Sequence, residues 1–448
     1  MGEASAPRLS TLAATTAGVI LSGVLAATSV AGPGGLDPGF GSSGRVVTEF
    51  DGSAELYELA EAPEGKIVAA GEIFPGDGAV GAIVARYNAD GSLDASFSGD
   101  GVQEIPFQLN NTFGGPASNA GGMVVTPEGK IVVAGAVKDP EAPDFDFSVV
   151  RLNPDGSPDP TFSGDGIAVT DAGGDDSPHG LALQADGGVV AIGETGDSSA
   201  NRQPLALVRY LANGDLDPGF SGDGVATSRR VDGYLSVGAV PTPSGDTIVG
   251  STTPGKKDAF VLARFTRDGE LDPDFRAAGL GTYTPADRFG GALARAIALD
   301  SSGRIVLAAT ASRCFRGCNN EFSDALVLRF RPSGKPDRKF SGDGQAAIGL
   351  GRRGETASGV AAQPNGAVVV AGATSEEQGR FMVARFKANG RPDSSFGRKG
   401  LAVTKFPGRP DGLAAAVLAP TADRIVAGGS VGEEFDSFAF GLARYEGD

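Results

Sequence analysis

Short runs of small and β-branched apolar residues, separated by turn residues, follow one another along most of the chain. In their first occurrence, Gly44–Phe50 is followed by Leu56–Ala62, a Pro-Glu-Gly turn and the nearly continuous apolar run Lys66–Gly71. Ala79–Tyr87 then alternates between apolar and polar residues, and an Asn-Ala-Asp-Gly turn comes next. This pattern predicts four short strands, of which the third is buried on both faces.

The same pattern recurs seven times, and each copy carries the motif Leu/Pro-Asp-x-x-Phe. The motifs are Leu36–Phe40, Leu93–Phe97, Pro158–Phe162, Leu216–Phe220, Leu271–Phe275, Pro336–Phe340 and Pro392–Phe396. They divide the chain into repeats of about 36–92, 93–157, 158–215, 216–270, 271–335, 336–391 and 392–448. The interval of about 55–65 residues is a period typical of solenoids and propellers.

Four-stranded sheets of this size cannot bury both of their faces alone. Seven such sheets arranged radially bury their faces against each other and keep their edges short. We therefore predict an all-β fold, a seven-bladed β-propeller with four antiparallel strands per blade, over residues 32–448. The alternative is a linear β-solenoid, whose repeats are usually shorter.

The two ends of the repeat array are complementary. The last repeat ends in Ala-Arg-Tyr, and the first begins with the motif that follows Ala-Arg-Tyr elsewhere. We expect Asp37 and Phe40 to contact Arg444 and Tyr445 as the other motifs contact their preceding strands, which would close the ring. We also expect each motif, with its Phe-Ser-Gly-Asp-Gly turn where present, to lie at a junction between blades.

The combination of Ala-Arg-Tyr, a Gly turn, Leu-Asp-x-x-Phe and a Gly-Lys-Ile-Val strand resembles the delta-60 repeat family of bacterial β-propellers. The resemblance extends from about Leu36 to Tyr445. It implies an extracellular bacterial propeller. It carries no catalytic residue and no ligand that could be transferred to this chain.

Each repeat contains one aspartate in the motif and one arginine in the strand before it. The repeat aspartates are Asp37, Asp94, Asp159, Asp217, Asp272, Asp337 and Asp393, and the repeat arginines are Arg86, Arg151, Arg209, Arg264, Arg329, Arg385 and Arg444. A catalytic acid rarely occurs seven times at equivalent positions. We predict a structural role, in which the aspartate binds turn amides or pairs with the arginine.

Composition excludes several classes of partner. The net charge of −17 argues against a nucleic-acid interface, which needs a basic stripe, and against docking on anionic lipid.

Arg8 precedes the apolar run Leu12–Ala31, which ends in a small-x-small site and is typical of a signal peptide over residues 1–31. The alternative is an uncleaved anchor. We expect a monomer that is secreted or held at the cell surface, with no stable membrane span after cleavage.

Cys314 and Cys318 are the only cysteines, in Cys-Phe-Arg-Gly-Cys. In a secreted chain, a local disulfide is the expected state, and free thiols are the alternative.

Asn88-x-Asp90-Gly loosely resembles a calcium loop but lacks its bidentate glutamate, so we interpret it as a turn. His179, the only histidine, lies in a polar stretch and is expected to be an inert, exposed loop residue. We assign no catalytic residue, metal site or cofactor.

The segments between the strands differ in variability. Pro-x-Gly turns and the motifs are monotonous, whereas the segments expected at the opposite face vary in length and charge, as binding loops do. The candidate binding residues on this variable face are Asp139, Glu141, Asp144, Asp171, Asp175 and Asp176 on early blades and Lys256, Lys257, Arg313 and Arg316 on later ones. We predict a binding or scaffold module for an extracellular protein or glycan. The alternatives are a secreted carbohydrate-active enzyme that uses loop carboxylates, and loops that are simply unconstrained.

Overall fold

The computed structural model describes residues 32–447 of the chain, except for short internal stretches. These stretches are 76–79, 106–121, 139–143, 197–202, 231–234, 254–258, 287–288, 314–322, 350–353, 375–378, 410 and 433–436. The described residues form seven four-stranded antiparallel sheets, and each sheet is one blade of a seven-bladed β-propeller. The predicted fold class is confirmed.

The first four blades follow the chain in order. Blade 1 contains β2 (Ser53–Ala62), β3 (Lys66–Phe74), β4 (Gly81–Tyr87) and β5 (Val102–Ile105), with a 3-10 turn at Pro63–Gly65. Blade 2 contains β6 (Met123–Val125), β7 (Ile131–Val137), β8 (Asp146–Leu152) and β9 (Ile167–Thr170). Blade 3 contains β10 (Ser177–Leu183), β11 (Val189–Glu194), β12 (Leu205–Tyr210) and β13 (Val225–Ser228). Blade 4 contains β14 (Leu235–Pro241), β15 (Thr247–Thr253), β16 (Ala259–Phe265) and β17 (Leu280–Tyr283).

The last three blades complete the ring and take in the N-terminal strand. Blade 5 contains β18 (Phe289–Leu299), β19 (Ile305–Arg313), β20 (Ser323–Phe330) and β21 (Gln345–Ile348). Blade 6 contains β22 (Glu355–Ala362), β23 (Val368–Thr374), β24 (Phe381–Phe386) and β25 (Leu401–Thr404). Blade 7 contains β26 (Asp411–Leu418), β27 (Arg424–Gly432), β28 (Ala439–Glu446) and, as its outermost strand, β1 (Arg45–Thr48).

The sequence repeats and the blades are offset by one strand. The strand after each motif pairs back onto the strand before it, as Val102 pairs with Ala85, so the motif connects the third and fourth strands of one blade. Our expectation that the motif joins two blades was therefore wrong. A tandem repeat has no intrinsic first strand, and the step to the next blade occurs after the short outer strand instead.

The N-terminal segment closes the ring as predicted. β1 pairs with β28, and the Asp37 carboxylate accepts a hydrogen bond from Arg444 Nε at 2.6 Å. The Arg444 guanidinium also lies over the Phe40 ring, with 4.6 Å between its central carbon and the ring centroid. The innermost strands contact one another in a closed circle, from β2 through β6, β10, β14, β18 and β22 to β26 and back.

Six repeat arginines pair with the repeat aspartate eight residues later, and Arg444 pairs with Asp37 of the N-terminal segment. Arg86 Nε lies 2.7 Å from Asp94 Oδ2, and the other oxygen of Asp94 accepts the Ser96 N–H at 3.1 Å. The Arg86 guanidinium also lies 4.9 Å above the Phe97 ring centroid. Both predicted roles of the aspartate are confirmed, because one carboxylate binds the turn amide and the arginine together.

Each interface between blades has its own apolar cluster, and one repeat phenylalanine lies in each cluster. Phe97 packs with Val84 of blade 1 and Val133 of blade 2. All seven repeat phenylalanines are at most 1% exposed. The aromatic ring that the motif supplies is therefore a part of the core between blades.

Backbone hydrogen bonds connect the motif of one blade to the next blade. Ser98 follows Phe97 in the left-handed conformation, with φ of 52°, and its N–H donates to Asp155 O of blade 2 at 2.7 Å. The equivalent Gly397 donates to Pro33 O at 2.8 Å, which links blade 6 to the N-terminal segment. We call the end of the ring that carries these motifs the turn face and the opposite end the loop face.

We predict that Phe220→Ala lowers the free energy of unfolding by about 3–5 kcal/mol, because it leaves a cavity between blades 3 and 4. Urea unfolding followed by circular dichroism measures the change. Val169→Ala is the control, since this apolar side chain on β9 is 54% exposed and its truncation should change stability by less than about 0.5 kcal/mol. Equal stability of the two variants would show that Phe220 is not a core residue.

Candidate functional site

The innermost strands of most blades are interrupted by a β-bulge. Strand pairing is shifted by one residue between Leu56 and Glu58 in β2, and the same shift recurs in five other inner strands. The extra residues are Tyr57, His179, Val237, Arg295, Ser358 and Ala415. A bulge directs its extra side chain away from the regular alternation, and bulges are frequent beside functional sites.

The neighbouring blade holds several of these bulges in place. The Ser430 hydroxyl of blade 7 accepts the Leu56 N–H of blade 1 at 3.2 Å. Thr252 in blade 4 accepts the Ala294 N–H at 2.9 Å, and Thr310 in blade 5 accepts the Ala357 N–H at 3.0 Å. These hydroxyls satisfy amides that the irregular pairing leaves free, so the bulge positions are fixed by contacts between blades.

The inner strands and their bulges surround a central cavity of about 510 Å³. Ten of the 22 residues on its walls are glycine or alanine. Small residues are needed where the inner strands lie close together: a Cβ on Gly359 would lie 2.8 Å from Ala415 O. The polar side chains on the walls are Tyr57, Glu58, His179, Arg295, Thr356 and Ser358. A cavity of this size with a few converging polar groups is typical of a small-ligand site.

Two of the bulge residues are paired with glutamates at equivalent positions of the second strand. The Tyr57 hydroxyl donates to Glu55 Oε2 at 2.7 Å and contacts Glu72 Oε2 at 3.3 Å, and burial together with these carboxylates raises the pKa of Tyr57. His179 Nε2 contacts the Glu194 carboxylate, while its Nδ1 is buried and has no hydrogen-bond partner among the described residues. The histidine is therefore oriented by the glutamate.

Our expectation for His179 was wrong. The residue is the bulge of β10, its side chain is only 8% exposed, and it lies on the cavity wall instead of in an exposed loop. The preceding residues Gly-Gly-Asp-Asp indicate a loop, but the strand begins at Ser177 and its bulge lies on the cavity wall. A comparison of the seven repeats could have identified His179 as a cavity residue, because tyrosine, histidine and arginine replace one another at this position.

Glu58 and Arg295 are two charged residues of the cavity wall with altered pKa values. Burial raises the pKa of Glu58 to about 7, and the backbone hydrogen bond at Leu59 opposes this only in part. Desolvation by the surrounding strands lowers the pKa of Arg295, with no carboxylate among the described residues opposing the shift. Near neutral pH, Glu58 can therefore accept or release a proton, and Arg295 is a cation without a counter-ion in the described part of the chain.

The predicted binding residues of the early blades are partly brought together. Asp171 and Asp176 lie at the loop face on the connection between blades 2 and 3, and they meet Asp146, the first residue of β8. One carboxylate oxygen from each lies within 4.8 Å of the other two. Burial raises the pKa of Asp176 to about 6, and the charges of Asp171 and Asp146 contribute. Asp144 and Asp175, which are close to these residues in the sequence, are half-buried and are not members of the group.

The other predicted residues cannot be placed from the described part of the chain. Residues outside it are Asp139, Glu141, Lys256, Lys257, Arg316, Cys314 and Cys318. Arg313 is the last residue of β19, and its side chain is likewise outside the description. The disulfide and the basic half of the predicted binding surface stay predictions.

Sequence comparison supports a β-propeller repeat family. A β-propeller domain of unknown function, DUF5122, matches residues 62–97, 126–162, 184–220 and 363–396. Each match runs from the end of an inner strand to a repeat phenylalanine, so it contains the two middle strands of a blade and the motif. No curated protein is similar in sequence to this chain.

Solved structures with similar folds have little sequence in common with this chain. Polysaccharide lyase Uly1 is 12% identical with a TM-score of 0.52, and the alignment covers 88% of this chain and 90% of the lyase. A ligand-bound ulvan lyase of polysaccharide lyase family PL25 is 11% identical with a TM-score of 0.50, over 90% and 96% of the two chains. A protein of unknown function from Dyadobacter fermentans is 12% identical with a TM-score of 0.49, over 92% and 100%. The likeness to the two lyases shows the fold alone.

We predict that Glu58→Gln removes a pH dependence of stability. The folded-state pKa of about 7 is above the ordinary glutamate value of 4.5, so ionisation of Glu58 destabilises the fold as the pH rises through this range. At pH 8 the variant should be more stable than the wild type by up to about 3 kcal/mol, since one pKa unit corresponds to about 1.4 kcal/mol and water in the cavity reduces the effect. At pH 4, where Glu58 is mostly protonated in both the folded and the unfolded protein, the two proteins should melt together. Parallel melting curves across this range would contradict the assignment.

Proposed function

We propose that this chain is an extracellular binding module of the delta-60 repeat type, whose ligand enters the central cavity from the loop face. The proposal is supported by the repeat motifs, which resemble that family, and by the match of four segments to a β-propeller repeat family. Export is proposed from the apolar segment Leu12–Ala31. No helix in the described part of the chain has the length and apolarity needed to cross a membrane.

One observation carries the proposal: the bulge position differs from blade to blade, whereas the structural positions repeat. The repeat arginine, aspartate and phenylalanine are invariant in all seven copies. The equivalent bulge positions hold Tyr57, His179, Arg295, Ser358 and Ala415, all on the cavity wall. A ring whose fold requires no particular residue at these positions can supply a set of different groups that fit one asymmetric ligand.

The charges of the cavity favour an anionic ligand with several hydroxyl groups, such as the end of an acidic glycan. Arg295, which is exposed on the cavity wall, offers a planar fork of donors for a carboxylate or sulfate. Glu58 and Ser358 can bond to hydroxyls on the same ligand. The candidate binding residues of the variable face would contact the part of the ligand that remains outside the cavity. They are acidic on the early blades and basic on the later ones, where Lys256 and Lys257 are examples.

A carbohydrate-active enzyme is the second candidate function, and the raised pKa of Glu58 favours it. A carboxyl group that titrates near pH 7 inside a cavity is suited to general acid or base catalysis. His179, oriented by Glu194, offers a second group for proton transfer. Of the loop carboxylates that the sequence suggested for this role, Asp171 and Asp176 lie on the connection between blades 2 and 3 and are not among the residues that line the cavity.

We predict that Arg295→Ala weakens binding of acidic glycans at least about tenfold, because a charged hydrogen bond contributes about 1.5–3 kcal/mol. An acidic glycan array identifies the ligand of the mature protein, and calorimetry measures its Kd. Arg267→Ala is the matched control, since this arginine is 68% exposed in a turn-face loop. Equal loss of affinity in both variants, or none in Arg295→Ala, would place the site outside the cavity.

An assay for product formation with the same glycans distinguishes the enzyme from the binding module. Products with new reducing or unsaturated ends should form only if the cavity is catalytic. Glu58→Gln would then abolish product formation and retain binding. Binding without product in the wild type supports the module and rejects the enzyme.

A further inference from the structure

Exposed basic side chains are concentrated on the turn face of two neighbouring blades. In blade 5 they are Arg331, Lys335, Arg338 and Lys339, and in blade 6 they are Lys387, Arg391, Arg398 and Lys399. We call these eight residues the basic stripe. The one exposed acid in the same segments, 331–344 and 387–400, is Asp343. The stripe is therefore strongly positive in a chain whose net charge is −17.

A backbone hydrogen bond between the two blades makes the stripe continuous. The Ser341 N–H, which directly follows the motif of blade 5, donates to Asn389 O at 2.8 Å. Asn389 lies in the turn of blade 6 that the Lys387 N–H closes by donating to Arg391 O at 2.8 Å. The cations of both blades therefore lie on one surface, and none of them lines the central cavity.

The fold does not require these charges. Among the described residues, Lys387 is the one member of the stripe in an ion pair, with Asp393 at 3.5 Å. The equivalent segments of blades 1, 2 and 3 contain no lysine or arginine and expose two aspartates each. These aspartates are Asp90, Asp100, Asp155, Asp165, Asp215 and Asp223. The turn face is thus acidic over blades 1–3 and basic over blades 5 and 6.

The turn of blade 6 shows most directly that the basic residues are not needed for folding. Lys399 has the left-handed backbone conformation, with φ of 58°, which favours glycine over residues with a side chain. Ser43 and Ala278 occupy the same place in two other turns, with φ of 54° and 52°. The position therefore accepts small side chains, and the turn does not need a long basic one.

A row of exposed cations is suited to an extended polyanion. Because the eight side chains are exposed, each single contact is weak, and several contacts along one partner chain are needed for useful affinity. Clusters of lysine and arginine of this kind are typical of surfaces that bind acidic polymers. We propose that the basic stripe binds an acidic polysaccharide, whose carboxylates or sulfates accept hydrogen bonds from its arginines and lysines.

Other partners fit the stripe less well. Docking on a membrane uses apolar side chains that enter the lipid, and protein interfaces and single-stranded nucleic acids use aromatic side chains. None of the large apolar residues that are exposed in the described part of the chain lies in the two segments of the stripe. Their two phenylalanines, Phe340 and Phe396, are fully buried.

This site does not rest on the proposed function. The stripe lies on the turn face, whereas the ligand of the central cavity is proposed to enter from the loop face. Arg295 lines the cavity and is not part of the stripe. The two sites can therefore be removed separately, and one ring can hold two different parts of an acidic glycan or two glycan chains.

Serine substitutions taken from other repeats remove half of the stripe without a new turn sequence. Arg338→Ser with Lys339→Ser reproduces the Pro-Asp-Ser-Ser-Phe motif of blade 6. Arg398→Ser with Lys399→Ser reproduces the Gly-Ser-Ser-Gly turn of residues 41–44. The two double variants and the combined quadruple variant should therefore melt as the wild type does, and each double variant can be tested without the quadruple one.

The matched control is Arg229→Ser with Arg230→Ser. These two arginines are exposed and directly follow β13, at the loop face of blade 3. The control removes the same charge as each double variant of the stripe and leaves the turn face unchanged. Arg295→Ala serves as a second control, because it alters the cavity alone.

The test is binding of the full mature chain to polygalacturonate, which carries carboxylates, and to heparin, which also carries sulfates. Calorimetry in about 50 mM NaCl measures the Kd, and affinity should fall steeply with added salt because exposed charges are screened. Each double variant of the stripe should bind at least about threefold more weakly and the quadruple variant at least about tenfold more weakly. Both controls should retain the affinity of the wild type.

Four results would overturn the assignment. The first is equal affinity of the quadruple variant and the wild type, or binding of neither polymer by the wild type. The second is an equal loss in the Arg229 and Arg230 control, which would show that binding follows net charge. The third is an equal loss in Arg295→Ala, which would place the polymer in the cavity and support the proposed function alone. The fourth is tighter binding of the wild type to phosphatidylglycerol vesicles or duplex DNA than to both polymers, which would identify another class of partner.

Discussion

The ion pair between one arginine and one aspartate in every repeat is the interaction on which the rest of the ring depends. The arginine sits in the third strand, and the aspartate sits in the motif that follows it, so the pair draws the motif onto the blade. The same guanidinium covers the phenylalanine that fills the interface to the next blade. Removal of either partner would leave a buried charge, and therefore the turn, the outer strand and the blade interface are stabilised together.

This arrangement confines the fixed residues to the turn face and the blade interfaces and leaves the inner strands free to differ. Bulges in those strands place different side chains on the wall of the cavity, and hydroxyls such as Thr252 and Ser430 from neighbouring blades hold the bulges. The cavity groups are thus positioned by a rigid ring instead of by loops. The aspartate cluster of blades 2 and 3 lies on the loop face, where connections vary most.

Much of the fold could be predicted because its signals are local and repeated. The ring closure by Asp37 and Arg444 follows from the motif missing at one end of the array and present at the other. The blade boundary could not be predicted, since a periodic sequence does not show which strand of a repeat joins which sheet. We predicted that His179 lies in a loop because its neighbours in the sequence are polar. The sequence does not show that its strand faces the central cavity.

The sequence by itself determined the number of blades, the four strands of each, and the structural role of the repeat arginines and aspartates. These properties depend on residues near each other in the chain and on a period that is repeated seven times. Only the tertiary structure decided which residues share a site. Glu58 and Arg295 are distant in the sequence and line one cavity, and Asp146 joins Asp171 and Asp176 across two blades. The pattern within one repeat does not show which residues of different blades lie close together, because the closure of the ring brings them together.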